Sequence, residues 1–333
     1  MAKLERFKGS IRVVAVFALA GLLIGAIYMV KPAKADIHNL TGTLIYHRYS
    51  DYGSWDATMW SLDLQSGSFN QINKEWTTVL SPINAHVSSD GQYLTLMGSA
   101  AGLPAINGEA QHDWDVFISH WEGTKWSDPI NLTGPNGKRD EDPKFSPDGK
   151  TIVYKEDGVL ATVASTGGAK TYLSIGDAES SMPYFRTNGT DILFERRGNI
   201  YLKTKSGDQL MDPGIGGESS YYPIGVDNER FLFTRVQDSQ HDGIRWGYYD
   251  GRKSTDLFFN NDTWDSSDSY PYKNAKDFIF LVSGDVNIPK GGYNLVIADL
   301  ANKKVVNIDD LYGDINTHQA ELGPAWTPFT FNK

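Results

Sequence analysis

Residues 142–154 read Asp-Pro-Lys-Phe-Ser-Pro-Asp-Gly-Lys-Thr-Ile-Val-Tyr, and weaker copies of this phrase recur along the chain. A proline, or an alanine in the first copy, marks the same place in each copy: Ala85, Pro143, Pro183, Pro223, Pro271 and Pro324. The spacings between these markers are 58, 40, 40, 48 and 53 residues. A repeat of this length predicts six copies of one supersecondary unit, with loops of variable length on constant strands.

Each unit contains the pattern of four short strands. The phrase ends in an apolar or aromatic strand, reached through a turn with Asp-Gly or Asn-Gly at 90–91, 148–149 and 188–189. Asp and Asn tolerate left-handed backbone and glycine prefers it, so these turns close hairpins. Two further strands follow, with largely alternating apolar and polar residues, as at 57–67, 199–207 and 293–300. Four short strands are the content of a propeller blade.

The two ends of the chain complement each other. The last unit supplies one strand, at 323–328, and the first segment supplies three strands within 40–72. Pairing them closes the ring and removes two open sheet edges. We therefore predict an all-β fold, a single six-bladed β-propeller over residues 36–333, in which blade 1 is shared between the two termini.

The unit at 131–165 resembles the WD40-like repeat of TolB-like six-bladed propellers. The resemblance rests on Asn-Leu-Thr-Gly at 131–134 and on Asp-Glu-Asp-Pro-Lys-Phe-Ser-Pro-Asp-Gly at 140–149. It extends over nearly all of the chain after residue 36 and implies the same fold. The units at Pro223 and Pro271 lack the Asp-Gly turn, and no segment resembles the separate N-terminal domain of TolB, so the resemblance does not carry TolB's function.

Residues 1–35 have the pattern of an export signal. Four basic residues within 1–12 precede an uncharged stretch at 13–30, and Ala-Lys-Ala at 33–35 forms a small-x-small cleavage site. The 18-residue apolar stretch is also near the roughly 17–25 residues of a membrane-spanning helix, so an uncleaved anchor that tethers the protein to a membrane is the alternative. In both cases we expect the propeller outside the cytoplasm, either periplasmic or secreted.

Composition excludes several classes of function. The chain has no cysteine, which excludes disulfides and thiolate catalysis. The first 35 residues hold six Lys/Arg and one Glu, so the remaining 298 residues carry 25 basic and 40 acidic side chains, a formal charge of −15. This balance disfavours nucleic acid and anionic membrane surfaces as partners.

The loops of a propeller place a candidate site. The loops that enter the first strands share one face with the loops that join second and third strands, and we call this the long-loop face. The latter are predicted to be long in blades 1, 2, 5 and 6 (48–56, 98–113, 235–244 and 283–292) and tight in blades 3 and 4 (156–157 and 196–197). Because rigid scaffolds carry function on such loops, this asymmetry predicts a cleft on the long-loop face.

Polar residues recur three positions before the repeat proline and are expected to ring the mouth of the central channel: Asp140, Ser180, Ser220, Asp268 and Glu321. Three carboxylates and two hydroxyls at one mouth can bind a cation such as Ca²⁺ or a polar ligand. Two alternatives remain open. The residues can instead hydrogen-bond backbone at strand starts, or pair with nearby cations such as Lys138, Arg139 and Arg235.

Aromatic residues are predicted to border this mouth. The long loops contain Trp55 and His112, and Trp264 lies in the loop before Asp268. Aromatic faces beside carboxylates can grip a sugar ring or a peptide. The alternative is that these rings pack between the blades.

The sequence favours a non-catalytic binding or scaffolding protein that recognises a protein or a cell-envelope glycan through the long-loop face. It contains no Gly-x-Ser-x-Gly elbow, no glycine-rich phosphate loop and no histidines at close metal-ligand spacing. The alternative is a carbohydrate-active enzyme, a polysaccharide lyase or a glycosidase, with its site at the channel mouth. Some propeller lyases acting on pectin fragments gather histidines around a metal there, and the chain resembles them at His86.

Overall fold

The computed structural model describes residues 36–104, 111–173, 179–214, 219–238, 241–285 and 292–331, which form six four-stranded antiparallel sheets. Blade 1 contains β1 (Thr43–Tyr49), β2 (Thr58–Asp63) and β3 (Phe69–Gln71). Blade 2 contains β4 (Val79–Val87), β5 (Tyr93–Ala100), β6 (Asp115–His120) and β7 (Ile130–Asn131). Blade 3 contains β8 (Asp140–Phe145), β9 (Thr151–Glu156), β10 (Val159–Ala164) and β11 (Thr171–Tyr172). The predicted six-bladed all-β propeller is confirmed.

Blades 4 to 6 follow in the same order along the chain. Blade 4 contains β12 (Ser180–Phe185), β13 (Ile192–Arg196), β14 (Asn199–Thr204) and β15 (Gly207–Asp212). Blade 5 contains β16 (Ser220–Gly225), β17 (Arg230–Val236), β18 (Asp242–Tyr248) and β19 (Thr255–Asp256). Blade 6 contains β20 (Trp264–Pro271), β21 (Phe278–Asp285), β22 (Asn294–Asp299) and β23 (Lys304–Asn307). A short helix α1 (Asp309–Tyr312) precedes the last strand, β24 (Ala320–Thr327).

The last strand closes the ring, as predicted. β24 pairs antiparallel with β1, with Thr43 opposite Thr327 and Ile45 opposite Ala325, so blade 1 has the order β24-β1-β2-β3. The terminal strand is thus the innermost strand of the first blade. This pairing leaves β1 without an open edge, which is what closure of a propeller achieves.

Every first strand contains a β-bulge at the same place. Two residues of the first strand face one residue of the second strand, and the first of the two has a positive φ; the pairs are Asn84–Ala85, Asp142–Pro143, Met182–Pro183, Tyr222–Pro223, Asp268–Ser269 and Gly323–Pro324. A bulge of this kind re-aims side chains locally. In blade 6 the place of the repeat proline is therefore held by Ser269, so the prediction that Pro271 holds it is wrong.

The Asp-Gly and Asn-Gly turns join first and second strands as predicted, but in a different conformation. Gly91, Gly149 and Gly189 have φ between 71° and 74°, whereas the preceding Asp or Asn does not have a positive φ. That side chain instead accepts a hydrogen bond from the backbone N–H two residues later, as Asp148 does from Lys150 at 3.1 Å. The Asp or Asn side chain therefore caps the turn, and the glycine alone takes the left-handed backbone.

The apolar core lies between neighbouring blades. One buried cluster, for example, joins blade 6 to blade 1 through Phe280, Ile297 and Leu44, and another joins blade 5 to blade 6 through Trp246 and Leu281. Inward and outward residues alternate along the strands, so each sheet packs on both of its neighbours. The sheets thus hold the loops of the long-loop face on a rigid support.

The predicted export signal and its cleavage site at 1–35 lie outside the described residues, and the limits of the predicted domains stay a prediction. Within the described ranges, no helix is both long and apolar enough to cross a membrane.

Candidate functional site

Four of the five predicted mouth residues are buried inside their own blades. Asp140, Ser180, Ser220 and Glu321 are each at most 1% exposed. Each lies directly opposite the last residues of the second strand; Ser180 faces Arg196 and Ser220 faces Arg235. The structure therefore does not bring these four side chains together as an open ring, because each of them is buried at the start of its own strand.

These buried groups are paired with polar partners. The Arg48 Nε atom lies 2.7 Å from Glu321 Oε1, and the same guanidinium donates to the Ile315 carbonyl at 2.6 Å. Asp140 accepts from Asn136 Nδ2 at 3.1 Å and lies 3.7 Å from Lys170 Nζ, while burial raises the pKa of its carboxyl group. The geometry favours the structural alternative for these positions.

The three cations considered above pair with other acids. Lys138 binds Glu156 at 2.5 Å and Arg139 binds Glu141 at 2.5 Å, while Arg235 binds Asp212. The alternative that the mouth residues pair with nearby cations therefore does not apply to these three side chains. Within the described residues no three His, Asp or Glu side chains are grouped as metal ligands, and calcium binding stays a prediction.

The fifth residue, Asp268, lies further along its strand, in the bulge of blade 6, and is partly exposed. The bulges of neighbouring blades contact one another around the central channel: Asn84 Nδ2 donates to Asp142 Oδ1 at 2.8 Å, and the Gly323 N–H donates to Asp268. Burial raises the pKa of Asp268 to about 6, and the charge of Asp142 adds to this shift. Asp268 is thus a channel residue, displaced from the position that its proline spacing predicted.

A lysine completes the channel. Lys144 is 5% exposed, and its ammonium donates no hydrogen bond to any described residue. Burial lowers its pKa, while the charges of Asp142 and Asp268 oppose that shift. The space beside Lys144, Asp142 and Tyr222 has a volume of about 10 Å³, which is close to that of one water probe and leaves no room for a larger ligand.

Two histidines next to this lysine are buried and neutral. Burial, with the nearby charge of Lys144, lowers the pKa of both His47 and His86 to about 3. The Nδ1 atom of His86 accepts a hydrogen bond from the backbone N–H of Phe145 at 3.0 Å. The opposite end of the channel widens into a cavity of about 300 Å³, lined by His86 with Tyr184 and Tyr270 among others.

The structure brings Trp55 and His112 together on the long-loop face. Their rings stack at 4.4 Å, and the indole of Trp55 lies 4.3 Å from that of Trp114, which in turn lies 5.5 Å from Tyr52. We call these four residues the aromatic stack. Trp114 is buried against Met97 and Ile83, whereas Tyr52 is 46% exposed, so the stack runs from the core to the solvent.

Local chain geometry positions the stack. Asp51 caps a single 3₁₀ turn (Tyr52–Ser54) by accepting from the Gly53 N–H at 2.9 Å, and Trp55 follows in left-handed conformation at φ 52°. The loops that supply it, 50–57 and 101–114, are long as predicted. The turns of blades 3 and 4 are tight, but each lies one residue later than predicted, at 157–158 and 197–198.

Charged groups adjoin the aromatic stack. The Arg139 guanidinium lies 3.5 Å from the Tyr52 hydroxyl and pairs with Glu141, which also pairs with Lys155. Lys155 Nζ in turn lies 3.1 Å from Glu179 Oε1. An amphipathic surface of this kind, aromatic with a charged border, is typical of recognition sites.

Trp264 lies elsewhere, in a groove between blades 5 and 6. Its side chain is 44% exposed and lines a cavity of about 580 Å³ together with Phe258, Leu281 and Val305 among others. The structure shows no ring contact between Trp264 and the aromatic stack within the described residues. Trp264 thus lines a different cavity from Trp55 and His112, and the prediction that all three border one mouth stays a prediction for Trp264.

Sequence reasoning missed the channel residues Asp142 and Lys144 and the groove residues Phe258 and Val305. Asp142 and Lys144 stand beside the repeat proline in the printed phrase, so their place in the repeat was visible. The orientation of the two side chains could not be predicted from the sequence, because it depends on the left-handed backbone of the bulge at Asp142, where φ is 56°.

Comparison with solved structures shows the same fold in proteins of low sequence identity. A protein from Agrobacterium tumefaciens assigned to TolB superposes with a TM-score of 0.57 at 13% identity, over 80% of this chain and 88% of that chain. TolB from Acinetobacter baumannii superposes with a TM-score of 0.59 at 12% sequence identity, over 86% of this chain and 66% of that chain. Hydrazine synthase from Kuenenia stuttgartiensis superposes with a TM-score of 0.64 at 10% sequence identity, over 88% of this chain and 47% of that chain.

These similarities show the fold, a TolB-like six-bladed propeller, and the chain spans just under two thirds of the Acinetobacter protein and about half of the hydrazine synthase chain. No protein-family model and no curated protein sequence matches the chain.

Proposed function

We propose that this chain is an exported, non-catalytic binding protein that recognises a protein or a glycan of the cell envelope through its long-loop face. The observation that supports this proposal is the aromatic stack with its charged border. Its outer rings are open to solvent, while Trp114 anchors it in the core. Pre-ordered aromatic side chains lose little conformational entropy on binding, and this makes them effective contact residues.

Export is part of the proposal. It rests on the basic, apolar and small-x-small pattern of residues 1–35. The strongly acidic balance of residues 36–333 favours protein or glycan partners over nucleic acid.

The enzyme alternative has less support. The Nδ1 atom of His86 is occupied by a backbone N–H, and burial keeps the ring neutral. Asp140 is held by Asn136 inside blade 3. Asp140 is fully buried in its blade, and His86, although it lines the cavity of about 300 Å³ at the opposite end of the channel, presents a neutral ring with an occupied Nδ1 atom. Neither group is therefore placed on the long-loop face, where a general acid or base of the predicted site would have to meet its substrate.

The test compares capture by the intact protein with capture by a variant of the stack. Purified protein is used in a pull-down from envelope extract and on a glycan array, beside the double variant Trp55→Ala, His112→Ala. We expect one or more specific ligands that the double variant loses. The matched control is Tyr93→Ala, His120→Ala, another aromatic pair with ring centroids 5.3 Å apart, which lies on the face of the Asp-Gly turns.

Two results would overturn the proposal. One is a ligand that the stack variant retains and the control variant loses. The other is turnover of a neutral or acidic oligosaccharide that disappears in His86→Ala or Asp140→Asn, since this would make the chain a carbohydrate-active enzyme.

A further inference from the structure

The groove between blades 5 and 6 has a volume of about 580 Å³ and lies apart from the channel and the aromatic stack. Its floor is apolar, with Phe259, Leu281 and Val296 all buried. Its rim carries three exposed apolar side chains: Phe258 at 38%, Trp264 at 44% and Val305 at 43%. Exposed large apolar groups gathered around one concave surface mark an interaction site.

The groove is open because the outer part of blade 6 is incompletely covered. The fourth strand of blade 5, β19, has two residues, whereas the fourth strand of blade 6, β23, has four. β23 is the last strand of its sheet, and among the described strands it pairs only with β22. Its outer edge therefore presents backbone N–H and C=O groups to which an extended peptide can add as a further strand.

Two lysines give the groove a local positive charge. Lys303 and Lys304 line it, both are exposed, and neither ammonium lies within 4.0 Å of a carboxylate in the described part of the chain. One acid, Asp310, lines the groove as well. Against the formal charge of −15 carried by residues 36–333, a pair of unpaired lysines favours a ligand that brings its own carboxylate.

We propose that this groove binds an extended peptide segment of a partner protein, with an apolar or aromatic anchor residue on the Phe259–Leu281–Val296 floor and an acidic residue beside it that meets Lys303 and Lys304. The groove also has polar lining, but Ser266 and Ser283 hydrogen-bond to each other at 3.0 Å, and Asn261 and Asn307 are engaged by neighbouring residues. The hydroxyls of a sugar stacked on Trp264 would therefore meet mainly the apolar floor, where they leave their own hydrogen bonds unmade. An apolar side chain has no hydrogen bonds to lose on this apolar floor. The floor thus favours a peptide over a glycan.

The inference rests on the proposed binding function but uses a different surface, so the two can fail separately. Random peptides displayed on phage are panned against the full chain and counter-selected against Trp264→Ala. We expect enriched peptides that combine an apolar or aromatic residue with an adjacent Asp or Glu. Synthetic copies are then measured by fluorescence anisotropy against the wild type and the variants.

Binding should fall at least tenfold in Trp264→Ala and in Lys303→Glu, Lys304→Glu. It should be unchanged in the charge-matched double variant Lys205→Glu, Lys253→Glu, which reverses two exposed lysines elsewhere, and in the stack variant Trp55→Ala, His112→Ala. Enrichment of no peptide over the counter-target, peptides without acidic residues, or oligosaccharide binding lost in Trp264→Ala would each overturn the inference. Loss of binding in the stack variant alone would assign the peptide to the aromatic stack instead.

Discussion

At the scale of single residues, the carboxyl group of Asp268 is in an environment that disfavours its charged form. It lies in the channel close enough to Asp142 for the two charges to repel, with the unpaired ammonium of Lys144 as the nearby cation. Its pKa is raised from 3.8 to about 6 because burial penalises the charged form. The folded state therefore holds the proton more tightly than the unfolded chain does.

This shift predicts how stability depends on pH. The contribution of a protonated Asp268 is fully present below pH 3.8 and is lost as pH rises through about 6. Asp268→Asn cannot ionise, so it should be more stable than the wild type at pH 8, by up to about 3 kcal/mol, since one pKa unit corresponds to about 1.4 kcal/mol. The gain should shrink towards pH 4.

Urea unfolding at pH 8 and pH 4.5 measures the difference. The control is Asp314→Asn at an exposed position, which should change stability by less than about 0.5 kcal/mol at both pH values. If Asp268→Asn were destabilised equally at both pH values, the Asp268 side chain would be making a stabilising hydrogen bond, and burial of its charge would not be a cost to the folded state.

At the scale of elements, sequence and structure agree where the repeat is regular and differ where a bulge or a loop intervenes. The strands, the tight turns of blades 3 and 4 and the terminal pairing follow from spacing and alternation alone. The register of blade 6 does not, because Ser269 takes the place of the repeat proline and Pro271 lies two residues later. Asp268 was consequently assigned to the wrong row of side chains.

The candidate site was predicted less completely than the fold. Loop length identified the loops that carry Trp55 and His112, which stack at 4.4 Å. Loop length cannot tell where on the face a ring lies, and Trp264 proved to be in the groove. In blade 5 the loop is shorter than predicted, at 237–241, because β17 and β18 extend to Val236 and Asp242.

The buried ion pair between β1 and β24 is predicted to be a main stabilising contact of the closing blade. Glu321→Ala leaves the Arg48 guanidinium without its carboxylate in a buried position, so we expect a loss of about 3–5 kcal/mol in the free energy of unfolding. The control is Glu75→Ala, which breaks the exposed Lys125–Glu75 pair and should cost less than about 1 kcal/mol. Equal losses in chemical denaturation would contradict the assignment.

At the scale of the whole molecule, the ring depends on its last strand. β24 supplies the inner strand of blade 1, and Leu322 and Ala325 are buried in clusters that join blade 1 to its neighbours. Phe331 packs on Trp126 with ring centroids 4.8 Å apart. Without these residues β1 has an open edge and the first and last blades lose their shared core.

Deletion of residues 318–333 should therefore prevent stable folding. We expect loss of the near-UV circular dichroism signal and an aggregated or expanded species in size-exclusion chromatography. A synthetic peptide of residues 318–333, added during refolding, should restore part of the near-UV signal. A truncated chain with a native spectrum and a cooperative transition at the wild-type temperature would show that closure by β24 is dispensable.

If the aromatic stack on the long-loop face meets the partner, site-specific photo-crosslinking in native host cells will capture that contact. A photoreactive phenylalanine derivative replaces Tyr52 in one strain and Tyr93 in another, both exposed tyrosines on opposite faces of the propeller. We expect a discrete adduct from position 52 and none from position 93. An adduct from position 93, with none from position 52, would contradict this expectation.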